Sequence, residues 1–192
     1  EKYYLHFNSA ALVDAAKGGE PIAITKGFYR YSNADFTPDG KQVILSGDVD
    51  SLENPDRSLE SAIMLADIAT GNMKQLLGEK DKRYFAASVS NNGKWLAFEY
   101  SSTSFATVPL LALMPVNGSA KDIINIPFDR AASNLTWTKD DQFLYFNAQS
   151  NGGAPLYRLN ITSKKIDTLS GMDAGINSFD IAPGQFDRVV SV

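Results

Sequence analysis

The sequence has no cysteine and one histidine, His6. The missing cysteine excludes disulfides, thiolate nucleophiles and Cys-ligated metals. A lone histidine removes the usual base for activating a serine and would leave a zinc ion with carboxylates almost alone. His6 lies inside the apolar stretch Tyr3–Phe7 and reads as a packed or edge-strand residue. No apolar run approaches the roughly 20 residues that span a bilayer as a helix. The longest, Val108–Val116, contains two prolines. With 18 Lys+Arg against 22 Asp+Glu, the net charge is −4, and no basic patch is present to meet phosphates, so nucleic acid is not an expected partner. No Gly-rich loop opens a helix, no Gly-x-Ser-x-Gly elbow occurs, and no stretch sustains a 3.6-residue period. We expect little helix, no nucleotide, metal or other cofactor, and no catalytic residue within the chain. The opening Glu1-Lys2-Tyr3-Tyr4 carries no signal-peptide pattern and reads as a processed or excised start.

What is present is apolar and aromatic. Hydrophobic residues make up 44% of the 192, with eleven Phe, eight Tyr and two Trp, which is enough to bury a sizeable core. The acidic stretch Asp48-Val-Asp50-Ser-Leu-Glu53-Asn54-Pro-Asp56 offers oxygen ligands, but it lacks the glycine and distal glutamate of a calcium loop and reads as solvated. Glu79-Lys80-Asp81-Lys82-Arg83 mixes charges and reads as an exposed connection. Asn117, Asn134 and Asn160 begin Asn-x-Ser/Thr sequons, which carry no meaning in a bacterial protein.

The dominant signal is an internal repeat. Four segments align without gaps: Phe36-Thr-Pro-Asp-Gly-Lys-Gln-Val-Ile-Leu-Ser, Val89-Ser-Asn-Asn-Gly-Lys-Trp-Leu-Ala-Phe-Glu, Trp137-Thr-Lys-Asp-Asp-Gln-Phe-Leu-Tyr-Phe-Asn and Ile181-Ala-Pro-Gly-Gln-Phe-Asp-Arg-Val-Val-Ser. Each starts on a large apolar residue, crosses a polar turn and returns to an apolar pair: Ile44/Leu45, Ala97/Phe98, Tyr145/Phe146 and Val189/Val190. The offsets are 53, 48 and 44 residues, close to the roughly 40–50 of propeller blades. Pro38-Asp39-Gly40 and Asn91-Asn92-Gly93 supply residues that tolerate positive φ, Asp140-Asp141 is a weaker version, and Pro183-Gly184-Gln185 is shifted. A second hairpin follows each first one, turning at Lys17-Gly18-Gly19, Thr70-Gly71-Asn72, Asn117-Gly118 and Thr162-Ser163-Lys164. Each unit is therefore expected to hold four short strands in an all-β repeat architecture, a β-propeller segment. Phe36, Val89, Trp137 and Ile181 are expected in the core between units.

These units resemble the "W-S-P-D-G-K-x-[IL]-[AV]-[FY]" repeat of TolB-type propellers and of the propellers of prolyl-oligopeptidase-family serine peptidases, the dipeptidyl and acylaminoacyl peptidases among them. Phe36-Thr37-Pro38-Asp39-Gly40-Lys41 and Trp137-Thr138-Lys139-Asp140-Asp141 are the nearest matches. Leu65-Ala66-Asp67-Ile68-Ala69-Thr70-Gly71 and Leu156-Tyr157-Arg158-Leu159-Asn160 echo the "L-Y-x-[LM]-[DN]-x-x-[TS]-G" hairpin that follows. The resemblance implies a partial first blade at 1–26, complete blades at 27–79, 80–128 and 129–171, and a partial fifth at 172–192. Further blades are expected on both sides of the segment, or else a second chain covering its edges.

The loops at Asp48–Glu60 and Ser101–Pro109 are longer than a minimal TolB-like blade needs and favour the peptidase side. There the propeller gates peptide access to an α/β-hydrolase domain, which this chain lacks. The Glu-Glu pair with which dipeptidyl peptidases hold a substrate amino terminus is not recognisable. The alternative is a TolB-like or WD40-like scaffold that binds a protein partner. Either reading implies a periplasmic or secreted protein with no membrane span.

Overall fold

A computed structural model of the chain describes residues 10–14, 16–25, 30–48, 59–182 and 189–191. The described residues form strands and one short 3₁₀ turn, Ala120–Asp122. The strands are β1 (Ala11–Leu12), β2 (Ile22–Ala23), β3 (Arg30–Phe36), β4 (Gln42–Asp48), β5 (Ala62–Asp67), β6 (Met73–Leu77), β7 (Lys82–Val89) and β8 (Trp95–Ser102). They continue with β9 (Leu110–Pro115), β10 (Ile124–Asn125), β11 (Ser133–Trp137), β12 (Phe143–Asn147), β13 (Leu156–Asn160), β14 (Ile166–Thr168), β15 (Phe179–Ile181) and β16 (Val189–Ser191). Three four-stranded antiparallel meanders, β3-β4-β5-β6, β7-β8-β9-β10 and β11-β12-β13-β14, are flanked by the two-stranded pairs β1-β2 and β15-β16. His6 and the stretch Tyr3–Phe7 lie outside the described residues, as do 49–56 of the acidic stretch and Pro183-Gly184-Gln185.

The first hairpin turn is one hydrogen-bond device built three times. Thr37 Oγ1 donates to Asp39 Oδ1 (2.7 Å), which also accepts from Lys41 N (3.1 Å), while Gln42 N donates to Thr37 Oγ1 (3.1 Å). Ser90 with Asn92 repeats this (2.9 Å, with Lys94 N and Trp95 N as donors), and so does Thr138 with Asp140 (2.7 Å, with Gln142 N and Phe143 N). A hydroxyl and an acceptor two residues later thus satisfy donors that the tight turn would strand. The next residue takes positive φ in all three: Gly40 (66°), Gly93 (69°) and Asp141 (55°). The second hairpin also repeats. Gly18 N, Gly71 N and Lys164 N donate to the carbonyls of Asp14, Asp67 and Asn160, whose side chains accept the intervening amides. The third unit departs here, turning at Gly118 N to Pro115 O and adding the 3₁₀ turn, with Asp122 accepting from Ser119 N (2.8 Å).

Each four-stranded sheet has neighbours on both faces, so adjacent strand positions are both apolar and serve different neighbours. Ile44 packs toward the third unit and Leu45 toward the first; Ala97 faces the fourth and Phe98 the second; Tyr145 faces the fifth and Phe146 the third. The first strand of each four-stranded unit carries a bulge, between Ser32/Ala34, Phe85/Ser88 and Ser133/Thr136. Ala86 (φ 53°) and Asn134 (φ 56°) sit in two of them. The extra residue flips the alternation, so that Tyr84, Ala87 and Val89 all face the second unit, and Ala132, Leu135 and Trp137 all face the third.

Of the four residues expected in the core between units, Val89 and Trp137 are buried and Ile181 is half-buried, but Phe36 is 55% exposed. The described part of the first unit is one two-stranded hairpin, which packs with Tyr31 and Ala66 and does not reach Phe36. Val190 of the last apolar pair is also exposed. Lys82 and Arg83 belong to β7 rather than to an inter-unit connection.

Asp141 explains why a turn weaker in sequence holds. Its carboxylate accepts from Asn91 N (2.8 Å), Asn91 Nδ2 (2.9 Å) and Asn92 N (2.8 Å) of the preceding unit. Trp137 Nε1 donates to Ser88 O (3.3 Å) across the same junction. Asp141→Ala is expected to destabilise the protein by about 2–3 kcal/mol in urea denaturation, because three donors of the Asn91–Asn92 turn lose a charged acceptor at the blade junction. Asp141→Gly should cost about 1 kcal/mol less, since glycine adopts positive φ without a Cβ clash.

Candidate functional site

The turns just described, at the β3–β4 and β5–β6 type of connection, lie at one end of the units. The β4–β5, β8–β9 and β12–β13 connections and the links between units lie at the other, which we call the loop face. Two cavities open on the loop face, beside corresponding junctions. One, of about 200 Å³, lies where β5 begins and is lined by Asp48, Glu60, Ser61, Gln75, Gly78, Glu79 and Lys80. The other, of about 500 Å³, is lined by Gln149–Ala154, Gly175 and Asn177.

The first cavity is acidic and internally wired. Glu79 pairs with Lys82 (2.7 Å) and accepts a hydrogen bond from the Tyr84 hydroxyl. The Lys82 and Tyr84 donors hold the Glu79 carboxyl below the usual carboxylate range, while burial, followed by the Glu79 contact, pushes the Tyr84 phenol up. Glu60 Oε1 accepts from Asp81 N (2.7 Å). The second cavity is bounded by a tight turn at Asn151 (φ 47°) and Gly152 (φ 84°), closed by reciprocal hydrogen bonds between Ser150 and Gly153 (2.8 and 2.9 Å). Gly153 must be glycine, because a Cβ there would sit 2.6 Å from Met172 O. Arg130 Nη1 donates to Ser150 Oγ (2.7 Å) and Tyr157 Oη (3.2 Å), tying the rim to the Phe128–Phe146–Tyr157 ring cluster.

Between the two cavities the β8–β9 loop projects. Ser104 N donates to Ser102 Oγ (3.1 Å), and Thr107 Oγ1 donates to Ser102 O (3.0 Å). This network presents Phe105 fully exposed, next to Ala106 at φ 62° and beside the exposed Val108 and Leu110.

Polar groups also bridge the units behind this face. In the second and fourth units, a backbone bridge ties the start of the third strand to the next unit: Ser61 O accepts from Tyr84 N (3.1 Å), and Ala154 O from Ile176 N (3.2 Å). The cross-strand partners of β4, β8 and β12 make Pro109 the equivalent of Ser61 and Ala154 in the third unit. Proline has no N–H for the donor half of such a bridge, which Ser61 N makes to Lys82 O (3.3 Å) and Ala154 N to Ala174 O (2.5 Å) in the other two units. Here the equivalent amide, Ala132 N, donates instead to Glu99 Oε1 (2.6 Å). Glu99 is 3% exposed, and burial pushes its carboxyl up to about 7. Asn147, at the matching position of β12, donates Nδ2 to Ile176 O (2.6 Å). Ser46, at the matching position of β4, is buried with its hydroxyl unpartnered.

The sequence reading missed Glu99, Asn147, Asp141 and Phe105 as special residues. The signal for the first two was in the repeat, whose aligned segments end on Ser46, Glu99, Asn147 and Ser191. That is a polar column inside strands otherwise apolar. Among the described residues no group of three or more His, Cys, Asp or Glu could hold a metal ion, and no helix is long and apolar enough to cross a membrane. The loop face offers hydrogen-bond acceptors, a polar cleft and an exposed aromatic ring.

Among solved structures, the chain superposes on TolB from Acinetobacter baumannii with a TM-score of 0.70 at 18% identity, covering 95% of this chain and 42% of that one. The chain is a segment of a β-propeller. A puromycin hydrolase variant in complex with PGG matches at a TM-score of 0.68 and 16% identity, with 92% of this chain and 30% of that one covered. The β-propeller domain of the Trilobed protease from Pyrococcus furiosus, described as having an open velcro topology, matches at 0.55 and 14%, covering 74% and 43%. The chain thus spans less than half the length of each of these three. No protein-family model and no curated protein sequence matches it. The three four-stranded sheets are blades, and β1-β2 and β15-β16 are parts of two more.

Replacing Arg130 with Ala should leave the fold intact but release the rim of the larger cavity. Hydrogen exchange at Ser150 and Gly153 is expected to speed up severalfold, with the amides of β8 unchanged.

Proposed function

We propose that this chain is part of the non-catalytic propeller of a serine exopeptidase similar to the prolyl-oligopeptidase family, with the loop face gating and positioning peptide substrates for an α/β-hydrolase domain outside the chain. The observation that carries this reading is the composition of the loop face. An acidic cleft and a polar cleft flank a fully exposed Phe105, and the peptide chemistry that fits such a surface is an amino group, backbone amides and an apolar side chain. The likeness to the puromycin hydrolase fold supports it. This reading implies a protein of the periplasm or of the cell exterior.

A second reading, a TolB-like scaffold that binds a protein partner through the same face, is favoured by the 95% coverage on TolB. Exposed aromatic side chains are the residues that anchor protein interfaces.

Treating the full-length native protein with a fluorophosphonate probe separates the two. A covalent adduct on a serine outside residues 1–192 is the expected result, and an unlabelled full-length protein supports the scaffold. Phe105→Ala is then expected to leave stability within about 0.5 kcal/mol, as for an exposed side chain. It should weaken substrate use through KM more than kcat, by about fivefold, as measured by steady-state kinetics on peptide substrates.

A further inference from the structure

Four junctions join the five blades, and three of them can be compared residue by residue at one amide near the start of the inner strand, the first of the following blade (β7, β11 or β15). That amide belongs to Tyr84, Ala132 or Ile176, each five residues before the core position at Val89, Trp137 or Ile181. At Ile176 its acceptor is a backbone carbonyl and at Tyr84 a backbone carbonyl together with the Ser61 hydroxyl, none of which titrates near neutral pH. At Ala132 the acceptor is the Glu99 carboxyl, in a blade that has Pro109 at the bridging position. We propose that the junction between the third and fourth blades is a proton-controlled seam, closed when Glu99 is neutral and loosened when it ionises.

The surroundings of Glu99 leave its charge uncompensated. Its cross-strand partners are Phe85 on β7 and Leu111 on β9, and neither is charged. From the fourth blade it meets Ala132, followed by β11 (Ser133–Trp137), which carries no titratable side chain. The charged groups of the link into that blade are Asp129 and Arg130. They pair with each other (2.9 Å), and the Arg130 guanidinium also binds Ser150 and Tyr157, not Glu99. The Ala132 N–H is therefore the one favourable contact for the ionised form, against burial at 3% exposure. A buried carboxylate with a single amide partner is better hydrated than sealed in, and hydration requires the seam to part.

The sign follows from linkage. The carboxyl titrates near 7 in the closed seam and near its ordinary value of about 4.3 once solvated. The closed state holds the proton more tightly, so its advantage is complete at low pH, is lost as pH rises between those two values, and is flat above them. The opening constant is expected to rise about tenfold per pH unit from pH 5 to 7 and to level off beyond.

The test is amide exchange of Ala132 in the full-length protein from pH 5 to 8.5, divided by the intrinsic chemical rate, with the Tyr84 and Ile176 amides as controls. The proposal expects the rise at Ala132, little or none at the two controls, and a pH-independent opening constant for Ala132 in Glu99→Gln, which keeps an acceptor oxygen but does not titrate. A flat wild-type profile, an equal rise at all three amides, or the same slope in Glu99→Gln would overturn it. Should Glu99→Gln not fold, the wild-type comparison of the three amides still decides.

Discussion

The structure depends on how each blade gives its neighbour a hydrogen-bond acceptor for one inner-strand amide. A propeller buries both faces of every sheet, so the apolar contacts between blades are extensive but directionless. The amide near the start of an inner strand lies inside that apolar layer, where an unpaired N–H costs about 1–3 kcal/mol. It therefore fixes the registry of one blade on the next. Ser61 and Ala154 satisfy it with backbone carbonyls, and Glu99 does so with a side chain. The bulges at Ala86 and Asn134 then turn the rest of the inner strand toward the preceding blade.

This arrangement separates two jobs by end. The tight-turn end is self-sufficient: hydroxyl–carboxylate or hydroxyl–amide pairs close each first hairpin, and Asp141 binds the Asn91–Asn92 turn next door. Lys164 adds to it, donating to Ile161 O and lying 5.2 Å from the Trp95 ring of the preceding blade. The loop face is where the repeat relaxes. Its three connections differ in length and chemistry, from the clamped Asn151-Gly152 turn to the projecting Phe105 loop, and its clefts sit beside the bridging residues. Rigidity at one end lets variation at the other be tolerated.

Much of this was legible in the sequence. The 53-, 48- and 44-residue offsets and the paired apolar positions specified the four-stranded units, because a strand buried on both faces must be apolar at consecutive positions. The turn residues were legible too, since positive φ selects Gly, Asn and Asp. Phe36 was misread because a repeat assigns every copy of a position the same surroundings, and the described part of the first blade is only a hairpin. Glu99 and Asn147 escaped notice because alternation predicts which face a side chain takes, not which backbone amide of another blade stands opposite. Phe105 could not be ranked from sequence, since nothing local distinguishes a presented phenylalanine from a buried one.

Pro109 has a consequence for how such a protein can be rearranged. Repeat proteins invite the view that units are interchangeable parts, to be shuffled, duplicated or permuted. Here the parts are keyed. A third blade moved to follow any other would bring Pro109 and Glu99 as a matched pair, and its outgoing contact would work wherever the incoming inner strand offers a small residue such as Ala132. The second blade's outgoing contact is built differently, with Ser61 hydrogen-bonded to both the N–H and the carbonyl of Tyr84. Chimeras that cut within a blade, keeping each strand pair with the neighbour it evolved against, would preserve these keys. Cuts between blades would separate lock from key.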